Sequence, residues 1–123
     1  MSRASVRGRE GEAQAAAYLE ALGCVVLERG WRSRLGQVDL VVRDGKTVVF
    51  VEVKARGADS GFGLPEEAVD ARKQARLGRA AAHYLQLRRL TDVPVRFDVV
   101  AIDGDPAVSA PTIRLIRGAF GVE

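Results

Sequence analysis

The stretch Thr47-Val48-Val49-Phe50-Val51-Glu52-Val53-Lys54 constrains this chain more than any other. It is apolar at odd and even positions alike, so a strand built from it has no face to leave to water. Such a strand belongs in the middle of a sheet covered on both sides. A second apolar run, Val38 to Val42, precedes it, with Asp44-Gly45 between the two. Asp-Gly between hydrophobic runs predicts a hairpin with a type I′ turn, whose central residues both need positive φ.

The rest of the chain supplies the cover. A helix is expected from about Gly8 to Leu22, with Ala15, Ala16, Leu19 and Leu22 inward and Gly23 as its C-terminal cap. Cys24 to Leu27 reads as a strand, and Arg29 to Leu35 as a basic connection. Gly57 to Gly63 is a glycine-rich loop. Asp70 N-caps a second helix running to about Leu90, with Leu77, Ala81, Tyr84 and Leu85 inward. Val95 to Ile102 is a strand, Gly104-Asp105-Pro106 a turn, and Thr112 to Ile116 a last, edge strand. The order αβββαβ, with one extra strand at the C-terminal end, gives an α/β fold: a mixed central sheet flanked by helices. The 123 residues make one domain, with residues 1–7 expected to be a flexible lead-in.

No apolar run is long enough to span a bilayer, and the N-terminus lacks the apolar core of a secretory signal, so a cytoplasmic protein is expected. Cys24 is the only cysteine, which excludes an internal disulfide and a Cys/His zinc pattern, and it reads as a core residue. The net charge is +3, a mild pointer to a polyanionic partner. Of 19 basic residues only Lys46, Lys54 and Lys73 are lysine. A lysine at 54 in a chain that otherwise chooses arginine suggests a place that needs an ammonium, although on this count alone chance is the better explanation.

With Asp44-Gly45 central in the turn, Asp39 faces Phe50 and Gln37 faces Glu52. Gln37, Asp39, Phe50, Glu52 and Lys54 then share one face, with Asp39 and Glu52 diagonal neighbours roughly 7–8 Å apart at Cβ. Two carboxylates at that distance repel unless a cation intervenes. Hard oxygens suit Mg²⁺ or Mn²⁺, and a lysine beside the ion can hold or deprotonate an attacking water. The plainer alternative is a Glu52–Lys54 salt bridge at a strand end with Asp39 solvated. Glu12 points along the buried stripe of the first helix and can reach the same site, or can simply favour the helix dipole. Gln74, inward on the second helix, can support the site or bond to backbone. Arg32, Arg34, Arg56, Arg72, Lys73, Arg76 and Arg79 can hold phosphates, although a solvated helix face explains such runs equally well. Asp98 lies two residues from Arg96, which predicts a local ion pair. No role falls to His83.

Gly11-Glu12, Gly36-Gln37-Val38-Asp39-Leu40-Val41, Val49-Phe50-Val51-Glu52-Val53-Lys54-Ala55-Arg56 and Arg96-Phe97-Asp98-Val99-Val100 together resemble the YraN family of uncharacterised bacterial proteins. Ala68-Val69-Asp70, Lys73, Leu77, Ala80-Ala81 and Tyr84-Leu85 extend the resemblance over nearly the whole chain. That family is similar to the restriction-endonuclease-like, PD-(D/E)XK superfamily, above all to archaeal Holliday-junction resolvases. The resemblance implies a metal-dependent DNA endonuclease or resolvase, with Asp39 and Glu52 as metal-binding acids, Lys54 as the motif's lysine and Glu12 as the acid of the first helix. It also implies a homodimer, because two strands are cut symmetrically by two sites related by a twofold axis. One position departs: the family's usual Glu is Gln37 here. A DNA-binding module without activity, or a scaffold for a DNA-processing partner, are the alternatives.

Overall fold

A computed structural model describes residues 3–56, 70–104, 110 and 112–121, with the side chains of 3–9 and of Arg56 left out. The elements are α1 (Arg3–Ala21), β1 (Val25–Ser33), β2 (Gly36–Asp44), β3 (Thr47–Arg56), α2 (Ala71–Leu87), β4 (Val95–Asp103) and β5 (Thr112–Ile116). The strands form one sheet in the order β1-β2-β3-β4-β5. Only β3 and β4 are parallel, as the α2 crossover between them requires. The αβββαβ order and the C-terminal edge strand are as expected from the sequence.

The apolar β3 lies at the centre, and its alternate residues enter two separate cores. Val49 and Val51 join Ala15, Ala16 and Leu19 of α1, while Val48 and Phe50 join Leu77, Ala80, Ala81 and Tyr84 of α2. Phe50 stacks on Phe97 with ring centroids 5.6 Å apart and meets Tyr84 edge-on at 5.8 Å. Truncating such a ring to alanine typically costs about 3–5 kcal/mol.

Local signals explain the element ends. Gly23, at φ +96°, follows α1 as predicted; its N–H bonds to Glu20 and that of Cys24 to Leu19, the paired bonds of a Schellman cap. Leu22 lies beyond the helix in this cap and is 49% exposed, so it leaves the inward stripe. The first helix begins at Arg3, inside the segment expected to be flexible. Asp70 caps α2 by accepting from the Lys73 N–H at 2.8 Å. The far end of α2 is earlier than expected, because Arg89 adopts φ +54° where a glycine would have signalled the stop.

Two hairpins differ from expectation. Arg29 to Ser33 continues β1 rather than forming a connection, and Arg34-Leu35 is a tight turn back into β2. The second turn centres on Gly45-Lys46, because Asp44 pairs with Thr47. Of the two, only Gly45 has positive φ, at +61°, which suits a type II′ turn rather than I′. The register therefore moves by two residues, pairing Val41 with Phe50 and Leu40 with Val51. Two is the side-chain period of a strand, so the faces survive the correction. The glycine-rich loop at 57–63 and the Asp105-Pro106 part of the expected turn lie outside the described residues.

Candidate functional site

A break in strand alternation creates the site. Arg29 pairs with Leu40, and Trp31 with Val38. Leu40 belongs to the α1 core, yet Val38, two residues away, belongs to the α2 core. In β1, Arg29 reaches Glu20 of α1 while Trp31 packs edge-on against Tyr84 of α2. Residues two apart should share a face, so both strands turn over between these pairs, at Gly30 and Asp39. Gly30 has φ +59°, a conformation costly for a residue with a side chain.

The pairing of β2 with β3 stops at Leu40–Val51, just before this twist. Asp39 takes over part of the ladder, its Oδ2 accepting the Val53 N–H at 2.8 Å. Its carboxylate is thereby fixed between the separating strands, beside Glu52. Glu52 is 7% exposed, on the α2 side of β3. Its Oε1 is in direct ion-pair contact with the Lys73 ammonium of α2, and the Lys54 Nζ stands 3.8 Å away. Glu12 comes from the α1 side, half-buried, with Oε2 3.6 Å from where a Gly30 Cβ would stand.

Burial dominates the electrostatics of the site. Burial pushes Asp39 up to about 7, helped by the Glu52 and Glu12 charges, against the Val53 N–H and Lys73. Burial also raises Glu12; Arg32 opposes this and Glu52 adds to it. Lys54 is lowered by burial and by its contact with the Lys73 ammonium, more than Glu52 and Asp39 restore. Burial works against Lys73 too, but its bond to Glu52 prevails and raises it.

An open cleft of about 610 Å³ adjoins Glu52. The β1–β2 hairpin, residues 32–37, forms one wall, and Lys73, Arg76, Leu77 and Arg79 of α2 the other. Gly36, at φ +147°, lets the hairpin approach α2; a Cβ there would lie 3.3 Å from that of Ala80.

The structure thus gathers Asp39, Glu52 and Lys54, with Glu12 electrostatically coupled to the two acids. Gln37 is exposed on the cleft wall with Arg32, Arg34 and Arg76. Arg72 is exposed and does not line the cleft, and the Arg56 side chain lies outside the described atoms. Gln74 is half-buried on α2 and engaged by another group. Among the described residues no three His, Cys, Asp or Glu side chains form a ready metal cluster. Asp39 and Glu52 do suit a hard cation that draws its other ligands from water and phosphate, as Mg²⁺ often does. Sequence reasoning missed the pairing of Lys73 with Glu52, having grouped Lys73 with the phosphate-facing residues. The sparse use of lysine was its signal, since two of the three lysines meet at this carboxylate.

Among the described residues no helix is long and apolar enough to cross a membrane. The model of the uncharacterised protein family UPF0102 matches residues 11–102, which takes in every site residue discussed. A UPF0102 protein of Syntrophus aciditrophicus is 47% identical over 92% of this chain and 87% of its own length. Another, from Moorella thermoacetica, is 46% identical over 93% and 94%, and one from Pseudomonas savastanoi pv. phaseolicola 47% over 92% and 91%. With the family match spanning most of the chain and relatives this similar along nearly their full lengths, the chain belongs to the UPF0102 family.

Proposed function

We propose that this protein is a divalent-metal-dependent endonuclease acting on DNA phosphodiester bonds. The observation that carries the reading is the placement of Asp39 and Glu52 at a strand separation that opens beside a basic cleft. A buried acid held above its ordinary range next to a second acid is a frequent sign of a functional site. Asp39 and Glu52 would hold Mg²⁺ or Mn²⁺, with Glu12 assisting from α1. The ion would supply Lewis acidity toward a phosphoryl oxygen and acidify water.

The chain's own residues do the rest. Arg32, Arg34, Arg76 and Arg79 grip the sugar–phosphate backbone along the cleft. Lys54, eased toward losing its proton, holds and deprotonates the attacking water. The Val53 N–H keeps the Asp39 carboxylate oriented. A homodimer would present two such sites to a branched substrate.

The test is nicking and cleavage of supercoiled, linear and four-way-junction DNA with Mg²⁺, Mn²⁺ or EDTA. Metal-dependent cutting should fall by at least about 10²-fold in Asp39→Ala, Glu52→Ala and Lys54→Ala, an effect typical of losing a general acid–base or charge-stabilising group. Cutting that survives Glu52→Ala would end the proposal. A second reading, a DNA-binding module without chemistry, is favoured by the neutralisation of Glu52 by Lys73. Salt-sensitive binding in EDTA, with no cleavage under any metal, would select it.

A further inference from the structure

Lys73 occupies one carboxylate oxygen of Glu52. Its ammonium contacts Glu52 Oε1, the same oxygen that Lys54 faces from 3.8 Å. The two lysines reach it from different elements. Lys54 shares β3 with Glu52, whereas Lys73 comes from the first turn of α2, where its N–H is held by Asp70. The Lys73 side chain is 34% exposed and lines the cleft, so its ammonium can leave Glu52 for water without unpacking a core.

The charge count gives this contact its consequence. Asp39 and Glu52 carry two negative charges, and Lys54 and Lys73 carry two positive ones. With every group ionised the resting quartet is neutral. A divalent cation added to it meets no net attraction from these four groups unless one ammonium withdraws. Removing Lys73 without replacement would leave Glu52, almost wholly buried, with a weaker partner. Replacement by a doubly charged ion more than restores the balance.

We propose that Lys73 is a built-in counter-ion of Glu52 that competes with the divalent cation for it, so that metal and Lys73 occupy Glu52 alternately. This rests on the reading of Asp39 and Glu52 as metal-binding acids. Lys73 is here a positioning residue that sets metal affinity, with no part in bond making.

The experiment is calorimetric titration of Mn²⁺ into the DNA-free protein, with thermal melting of each sample with and without the ion. Lys73→Gln should bind Mn²⁺ on the order of tenfold more tightly than the parent, the scale on which neighbours of metal ligands tune affinity. It should also gain more in Tm from Mn²⁺. Lys73→Arg, which keeps the charge, should stay close to the parent. Glu52→Gln should bind weakly whether or not Lys73 is present. Equal or weaker binding by Lys73→Gln overturns the inference, as does an affinity that stays unchanged when Glu52 is replaced. If Lys73→Gln does not fold, Lys73→Met and Lys73→Ser carry the same expectation. The nuclease reading fails separately: tighter Mn²⁺ binding by Lys73→Gln, with no DNA cut by any form, upholds the counter-ion role and removes only the chemistry.

Discussion

The sheet carries buried carboxylates on neighbouring strands, Glu52 on β3 and Asp98 on β4, one register step apart, and their surroundings are opposite in kind. Asp98 on β4 is 2% exposed. Its Oδ1 accepts from Arg96 Nε at 2.9 Å and from the Gly118 N–H at 2.9 Å, and its Oδ2 from Arg96 Nη2 at 3.0 Å. The same Nη2 reaches Asp44 at 3.0 Å, so one guanidinium ties β4 to the end of β2. Those bonds drive Arg96 further above its already high range. On the other side of β3, Asp39 of β2 has one backbone N–H, and withdrawal from water, helped by the Glu52 carboxylate, pushes it up to about 7. Asp98 is fully withdrawn from water and Asp39 partly so. The difference is that donors surround Asp98, whereas Asp39 has a single N–H donor and the ammonium contacts fall on Glu52. A buried charge by itself marks structure as readily as function; an acid short of donors and held above its ordinary range is what marks a candidate site.

The largest expected effect falls at Asp98. Asp98→Ala leaves the Arg96 guanidinium with only Asp44 and strips the Gly118 N–H of its acceptor. The expected loss is about 3 kcal/mol, the lower part of the range for breaking a buried pair, because the Arg96 side chain remains 26% exposed. Urea denaturation measures it, and a loss under about 1 kcal/mol would mean that the Asp98–Arg96 cluster is not the structural one.

Asp39 should behave in the opposite sense. Its folded-state pKa is raised, so its contribution to stability is fully present below the unfolded value of 3.8 and is lost as pH rises toward about 7. The metal-free parent therefore carries a penalty that builds between about pH 4 and 7 and then levels off. Asp39→Asn should remove it, making the variant more stable than the parent by on the order of 2 kcal/mol at pH 8 and about equal to it near pH 4. Parallel stability–pH curves for the two proteins would refute the raised pKa of Asp39.

Most of this architecture was legible in the residues because it depends on short periods. The two-sided apolar β3, the Gly23 and Asp70 caps and the β5 boundaries are local, and local chemistry fixes them. The hairpin was misplaced by two residues without harm, since faces repeat at that interval. What escaped was non-local or lacked a marker residue. Arg89 ends α2 in a glycine's conformation, so nothing in the sequence announces the stop. The face inversion at Gly30 and Asp39 depends on where two helices pack, and the Lys73–Glu52 contact on how a crossover returns α2 to the sheet.

Gly30 tests that inversion with a smaller effect. Gly30→Ala puts a side chain at φ +59° within 3.6 Å of Glu12 Oε2. It should cost about 1 kcal/mol from backbone strain, and Glu12 should shift with it. Gly45, at φ +61°, has nothing within 4 Å of its own Cβ position, so Gly45→Ala carries the strain alone. If chemical-shift changes in Gly30→Ala reach Asp39 and Glu52, while those in Gly45→Ala stay at the turn, the Gly30 kink is what holds the site open.

The smallest effect concerns the exposed arginines and separates the cleft from the rest of α2. Arg76 and Arg79 line the cleft, and Arg72, on the same helix and equally basic, does not. A phosphate backbone lying in the cleft would release counter-ions from contacts with the first two and not with the third. Arg76→Ala and Arg79→Ala should each lower the slope of log K against log salt by about 1, whatever the DNA sequence, and Arg72→Ala should leave it unchanged. Fluorescence anisotropy of a short labelled duplex in EDTA, repeated over a salt series, reads the slope directly and does not depend on cleavage. If Arg72→Ala moved the slope as far as Arg76→Ala, the charge of the whole helix face would be attracting DNA and the cleft would have no special claim on it. If only the cleft variants moved it, the backbone would be held within reach of Glu52 and beside the donor-poor Asp39.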